Sequence, residues 1–258
     1  MEAGRNVRIL ELREVSKHFG GIRAVDELSL AIDRNKVFGL IGPNGAGKTT
    51  VFNLITGFLR PDKGDILFNG EHMFKTPPHK IVNLGICRSY QELRLFNRLK
   101  VIDNVYLGFP GQKYDSILTA LWGKRFEKSE ERRENLEKAS SLLKVSHLLD
   151  KKDILARNLS FGEQKFLMVD RILATGAELI LLDEPTSGLD AGQIEDVLSI
   201  IEALVHEGKT VFVVSHNIEV IMSISDYIFV LDQGRKVAEG KPREIYENEK
   251  VLQTYLGA

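Results

Sequence analysis

Residues 42–49 read Gly-Pro-Asn-Gly-Ala-Gly-Lys-Thr, and Thr50 follows. The spacing fits G-x-x-x-x-G-K-[ST], a loop whose glycines let successive backbone N–H groups turn inward around an anion. Gly42, Pro43, Asn44, Gly45, Ala46 and Gly47 would form that nest, and a helix starting at Lys48 would add the positive end of its dipole. Lys48 is then the point charge for the β- and γ-phosphates, and the Thr49 hydroxyl a ligand for Mg²⁺. A glycine inside regular structure costs about 0.5–1 kcal/mol relative to alanine. Gly39, Gly42, Gly45 and Gly47 crowd into one short stretch, so the loop's shape outweighs that loss. Further on, "LILLDEP" at 179–185 is an apolar strand that ends in two carboxylates. In a parallel sheet, ligands sit at the carboxyl ends of the strands. Asp183 is placed there to hold the metal, and Glu184 to polarise an attacking water.

These groups need an α/β body to position them. "KVFGLI" before the loop, "ELILLDEP" and "KTVFVVSH" are aliphatic runs without alternation, as in parallel strands covered on both faces. "KTTVFNLITG" reads as a helix stopped by Gly57, and "PPHKIVNLG" as a short one between proline and glycine. Ile194, Val197, Leu198, Ile201 and Leu204 form one helical stripe between two strands. "VRILEL", "LSLAI" and "DILFNG" read as short strands nearer the start, and "YIFVLDQGRKVAEG" as a hairpin about Gln233-Gly234. Residues 110–138 turn from aromatic to heavily charged, and helix signal dominates from about Tyr90 to Asn158. That region reads as a helical subdomain inserted into the body.

The totals limit what such a chain does. With 258 residues, 43% hydrophobic and 28% charged, it has an ordinary globular composition. A net charge of −1 supplies no basic field for nucleic acid or anionic lipid. Cys87 is the single cysteine, which leaves no intramolecular disulfide framework and no cysteine-built zinc site. No segment approaches the ~18 apolar residues of a membrane-spanning helix, and the start lacks a secretory core. A membrane role would come through a partner.

"NLSFGEQ" at 158–164 narrows the field. By itself it fits a serine-capped helix, Ser160 paired with Glu163 three residues on. It also resembles the LSGGQ signature of ABC ATPases, with Ser160 and Gly162 offering a hydroxyl and an unobstructed N–H to a γ-phosphate. The order of phosphate loop, signature, Asp-Glu strand, "SGLD" at 187–190 and a strand-end His216 identifies the chain as a member of that family over nearly its whole length.

The resemblance implies further roles. Phe19 in "SKHFGG" matches the aromatic that stacks on adenine. Gln91 matches the glutamine that senses Mg²⁺ and the membrane subunit, so metal ligation falls to Thr49, Gln91 and Asp183. His216 matches the γ-phosphate switch, and Asp190 the aspartate that communicates across a dimer. Ser160, Phe161, Gly162, Glu163 and Gln164 would serve the ATP held by a second subunit. Catalysis is assigned to Glu184, His216, Lys48 and Gln91. The implied fold is an α/β P-loop NTPase of ABC type: a mostly parallel core sheet, an antiparallel N-terminal β part and an inserted helical subdomain. One ATP-binding domain spans 7–258, with the core lobe at about 7–90 and 159–240, the helical subdomain at about 91–158 and a C-terminal helix at about 242–256.

Within the family, "VSKHFGGIRAVDELSL", "RSYQELRLFNRLKVIDNVYLG", the insertion after Gly108 and "VLDQGRKVAEGKPREIYEN" look most like ATPases of branched-chain amino-acid importers. Importers of urea or other amides look similar, and a non-transport ABC ATPase such as an assembly scaffold is the alternative from another class. The implied cofactors are ATP and Mg²⁺. The implied partners are transmembrane permease subunits, docked near Gln91 and along Glu92–Val105 with Leu93, Leu95, Phe96 and Leu99, a second ATPase subunit, copy or sister, and indirectly a solute-binding protein. Nucleic acid is not expected, and the place is cytoplasmic, on the inner face of the membrane. There are two departures from the family pattern: the signature reads Phe-Gly-Glu-Gln at 161–164 where Tyr-Gly-Gln-Gln is commoner, and Asp170 stands where alanine is usual.

Overall fold

The computed structural model describes residues 8–89, 95–110 and 129–251. The chain forms two compact units, the first from residues up to Gln91 and from Glu178 onward, the second from Glu92–Ala177.

The first unit holds two sheets. β1 (Arg8–Phe19), β2 (Ile22–Asp33), β4 (Lys63–Phe68) and β5 (Glu71–His72) make an antiparallel sheet in the order β2-β1-β4-β5. The other sheet runs β10-β9-β3-β8-β7-β6, from β10 (Arg235–Gly240), β9 (Tyr227–Asp232), β3 (Val37–Ile41), β8 (Thr210–Val214), β7 (Leu179–Asp183) and β6 (Ile86–Arg88). Only the β9–β10 hairpin is antiparallel there. Every residue of β3, β7 and β8 is buried, which is why these strands carry no polar alternation. Helices α1 (Lys48–Ile55), α2 (Pro78–Leu84), α6 (Ala191–His206), α7 (Ile218–Ile224) and α8 (Pro242–Tyr246) complete the unit. Phe52 of α1 meets Phe212 of β8 at 5.3 Å between ring centroids, locking the helix of the phosphate loop onto the central strands.

The second unit contains α3 (Val101–Tyr106), α4 (Ser129–Val145) and α5 (Phe161–Ala174), with 3₁₀ turns at Leu149–Lys151 and Ala156–Asn158. α5 packs on both α3 and α4 and buries Leu167, Val169 and Ile172.

Three expectations differ from this structure. The core lobe was expected to resume at 159. The helical unit instead runs to Ala177, because α5 buries its apolar face within it. The C-terminal helix was expected over about 242–256, of which 252–256 lie outside the described residues. It stops at Tyr246, and Asn248 breaks the run by accepting hydrogen bonds at Oδ1 from Lys250 N at 3.0 Å and Val251 N at 3.4 Å, which starts a new turn. The "VRILEL" and "LSLAI" strands are pieces of β1 and β2, which form a long hairpin. Bulges around Glu14 (φ 49°) and Glu27 (φ 51°) break its period-two pattern.

Candidate functional site

The loop between β3 and α1 has the shape the glycines require. Gly47 sits at φ 102°, and a Cβ there would lie 2.3 Å from the Ala24 carbonyl oxygen. A Cβ on Gly42 would lie 2.2 Å from the Leu231 carbonyl oxygen. No other residue fits either place without moving backbone. Gly42, Pro43, Asn44, Gly45, Ala46 and Gly47 turn over the sheet edge, and Lys48, Thr49 and Thr50 open α1.

Parallel register brings the other groups to the same edge. Asp183 ends β7 beside Val214 of β8, and Leu40 of β3 pairs with Val214 from the other side. Strand-end residues Asp183, Glu184 and His216 therefore line one cavity of about 330 Å³ with Asn44, Lys48 and Thr49. A larger cleft of about 830 Å³ lies elsewhere in this unit. Its charges pair among themselves, Lys36 with Asp33 and Lys236 with Glu239, and no phosphate loop reaches it.

Lys48 is buried, and its Nζ donates to the Gly42 carbonyl at 2.7 Å and the Pro43 carbonyl at 2.9 Å. Burial pushes its ammonium below the usual lysine range, while Glu184 and Asp183 pull it back up. Glu184 adopts φ 53°, a left-handed conformation rare for a residue with a side chain, at the end of an otherwise regular strand. Its N–H donates to the Val214 carbonyl at 2.8 Å. Its Oε2 lies 2.8 Å from His216 Nδ1 and accepts from Ser215 Oγ at 3.3 Å. His216 is itself mostly exposed. Glu184 is thus a carboxylate held by two neighbours in the lining of this cavity.

Asp183 is held from the opposite side. Its N–H donates to Ser89 Oγ at 2.9 Å, and its Oδ2 accepts from Arg88 Nη2 at 2.6 Å. Arg88, Ser89 and Ser215 are site residues that the sequence reading missed. The available signal was a lone arginine in the short strand "ICR" and a serine just before His216. The donor set suits Mg²⁺. A carboxylate (Asp183) and a hydroxyl (Thr49) line the cavity, and among the described residues no cluster of three or more His, Cys, Asp or Glu could cage a metal alone. Mg²⁺ is usually bound through one or two protein oxygens together with substrate phosphates.

Phe19 stands at the end of β1, 46% exposed, in the hairpin whose next residues, Ile22, Arg23 and Ala24, line the cavity. Lys17 Nζ lies 5.7 Å from its ring centroid. Asp190 caps α6, accepting from Gln193 N at 2.9 Å. Gln91 and Leu93 lie outside the described residues.

In the second unit, Ser160 caps α5 with a full capping box: Glu163 N donates to its Oγ at 3.3 Å, and its own N–H donates to Glu163 Oε2 at 2.9 Å. Gly162 is buried in the first turn, while Phe161 is exposed. Gln164 Nε2 donates to the Leu159 carbonyl at 3.0 Å. Lys151 forms an ion pair with Glu163. Burial pushes the Glu163 carboxyl up, but the bonds from Lys151 and Ser160 outweigh it and hold it below the usual range. The second departure from the family pattern is also partnered: Ser146 Oγ donates to the buried Asp170 Oδ2 at 2.6 Å.

Burial pushes Asp170 up to about 7. A raised carboxylate pKa stabilises the fold below the unfolded value of 3.8, and that contribution is lost as pH rises through about 7. Stability should therefore fall between pH 5 and 8 by about 2–3 kcal/mol. Asp170→Asn keeps an acceptor for Ser146 and should flatten that dependence, leaving the variant the more stable chain at pH 8. Urea midpoints at both pH values check this; parallel slopes in parent and variant would refute it.

The stretch before α3 is pinned from below. Buried Asn104 accepts from Phe96 N at 2.9 Å and donates to the Phe96 and Lys100 carbonyls at 3.2 and 3.0 Å. Phe96 and Leu99 remain exposed, with the Arg171 guanidinium 5.4 Å from the Phe96 ring. Leu95 and Val105 point inward, so only part of the expected apolar surface is available.

The ABC transporter family model matches residues 25–187. BraF of Pseudomonas aeruginosa, a high-affinity branched-chain amino acid transport ATP-binding protein, is 36% identical over 251 residues, covering 96% of this chain and 98% of BraF. The ADP conformation of MJ1267, an ATP-binding cassette of an ABC transporter, superposes with a TM-score of 0.84 at 30% identity, covering 97% of this chain and 99% of that one. The dimeric structure of MJ0796, a bacterial ABC transporter cassette, gives 0.75 at 26% identity over 91% of this chain and 99% of that one.

Proposed function

The chain belongs to the ABC transporter family, and on that premise we propose that it is the ATP-hydrolysing subunit of an importer of branched-chain amino acids. The observation that carries the reading is the shared cavity of Lys48, Thr49, Asp183, Glu184 and His216 at one sheet edge. Similarity to BraF supports the choice of solute.

The phosphate loop binds the triphosphate, with its N–H groups and the start of α1 facing the anion. Phe19 stacks on adenine. Mg²⁺ would supply charge neutralisation on the triphosphate. Thr49, Asp183 and Gln91 would hold it, and Lys48 turns from the loop carbonyls to the γ-phosphate. Glu184 takes a proton from water as the water oxygen bonds to the γ-phosphorus and the bond to the β-phosphate oxygen breaks, releasing ADP and phosphate. His216 keeps that carboxylate in place, and electrostatic positioning by Lys48 is the largest single contribution. The signature residues 160–164 of a second subunit close over the γ-phosphate, and Asp190 reports across the pair. Opening and closing of the two subunits then drives a separate permease served by a solute-binding protein, at the inner face of the membrane. Among the described residues no helix is long and apolar enough to cross a membrane.

Uptake of labelled leucine by cells carrying the chain and its permease is the test. Lys48→Ala should abolish it, whereas unchanged leucine uptake with loss of urea or amide uptake would assign another solute. Phe96→Asp should lower co-purification of the permease at least about tenfold while ATP binding by the isolated chain stays intact. Equal recovery of permease would remove Phe96 from the dock.

A further inference from the structure

Arg88 holds a place that the reaction as described does not use. Its guanidinium is almost fully buried, as is the Asp183 carboxylate it contacts. One arm, Nη2, donates to Asp183 Oδ2 at 2.6 Å, and the other, Nη1, donates to Asn53 Oδ1 at 2.7 Å. The guanidinium carbon lies 5.2 Å from the centroid of the Phe52 ring. Phe52 and Asn53 belong to α1, the helix that opens at Lys48, so Arg88 ties the helix of the phosphate loop to the end of β7. The neighbouring Ser89 fastens the Asp183 backbone by accepting its N–H. Arg88 of β6 and Ser89 after it therefore grip Asp183 at both side chain and main chain.

Charge makes this contact consequential. Removing one partner of a buried ion pair leaves an uncompensated charge. The same carboxylate is the one that the proposed function gives to Mg²⁺. A guanidinium and a Mg²⁺ ion beside one carboxylate repel each other, so each weakens the other's hold on it.

We propose that Arg88 is the built-in counter-ion of Asp183: a positioning residue that neutralises and orients this carboxylate and sets how strongly nucleotide binding depends on a divalent cation. The proposal rests on the reading of Asp183 as the metal-holding residue. Without metal, the guanidinium shields the triphosphate from a buried negative charge. With metal, it gives up part of its bond to Oδ2 and keeps its bond to Asn53. It is not a catalytic residue, since nothing places it on substrate. Loss of the guanidinium should therefore weaken metal-free ATP binding and strengthen the magnesium-dependent part, moving the two affinities in opposite directions.

The experiment measures ATP dissociation constants in excess EDTA and in excess Mg²⁺ for the parent chain, Arg88→Met, Arg88→Lys and Asp183→Asn. In Arg88→Met the ratio of the EDTA constant to the Mg²⁺ constant should rise about tenfold, equivalent to about 1.4 kcal/mol of altered coupling. Arg88→Lys keeps a charge without the fork and should rise less. Thermal unfolding of Arg88→Met without nucleotide should drop by about 6–12 °C and recover more of that loss with Mg-ATP than the parent gains. A purely structural arginine would weaken both affinities equally, leaving the ratio at the parental value. That result, with Asp183→Asn collapsing the ratio toward one, would overturn the counter-ion role and leave the metal site standing. If Asp183→Asn keeps the parental ratio, the metal assignment fails and the counter-ion role with it. Should Arg88→Met not fold, the ratio in Arg88→Lys decides, and an unchanged value overturns the proposal.

Discussion

Replacing Glu184 with glutamine should lower ATP turnover by 10²–10⁴-fold, or about 3–5 kcal/mol of barrier, while ATP binding holds or improves. Glutamine keeps the size of the side chain and an oxygen able to accept from Ser215 Oγ and face His216 Nδ1, the two groups that hold Glu184. It loses the charge and nearly all the basicity. Removing a negative charge near the triphosphate also removes repulsion, so the ATP-bound form gains. Closed subunits that cannot hydrolyse should persist, and the variant should elute as a dimer in ATP and Mg²⁺ where the parent does not. The left-handed backbone of Glu184 is undemanding for glutamine relative to glutamate, so a folding defect is not expected. Turnover within about threefold of the parent would exclude the base role. Weak ATP binding by a folded variant would make the carboxylate structural.

The second large effect concerns which chain supplies which group. Lys48 opens α1 in the first unit and Ser160 caps α5 in the second. In the proposed mechanism both helix starts serve one phosphate and come from two copies; the MJ0796 cassette is dimeric in its own structure. Lys48→Ala and Ser160→Arg should each be inactive alone, at least about a hundredfold down. Mixed, they form heterodimers with one intact site and one doubly broken site. The mixture should regain up to about a quarter of parental turnover if the subunits exchange at random and the sites act independently. Activity no higher than either variant alone, at saturating ATP and protein, would contradict composite sites. If the native partner is a sister subunit, the same pair of substitutions is split between the two chains.

Local chemistry was legible and remote pairing was not. The phosphate loop, the strand ending at Asp183 and the β9–β10 hairpin each announce themselves within a dozen residues. Gln233 at φ 44° and Gly234 at φ 81° show why that hairpin turns where it does. The α2 stop at Gly85 (φ 106°) follows the same logic. Arg88 and Asp183 are 95 residues apart, and nothing near either one in sequence marks the other. Ser215 and Ser89 are small polar residues at strand ends, indistinguishable from caps until the parallel register is known. The extent of the helical unit was misjudged because the start of α5 looks the same whichever body it packs on. Its buried stripe, set by α3 and α4, decides the matter. Glu163 and Asp170 depart from the family pattern, and nothing near either one in sequence marks its partner. Lys151 and Ser146 partner them in space.

ATP hydrolysis is proposed at the cavity lined by Lys48, Asp183 and Glu184. Phosphate release from ATP by the purified chain, measured across protein concentration beside Lys48→Ala, tests it most directly. The expected result is release that requires Mg²⁺, rises faster than linearly with protein as dimers form, and falls at least about a hundredfold in Lys48→Ala. Release that persists in Lys48→Ala, or none from the parent at saturating Mg-ATP and high protein concentration, would contradict the account.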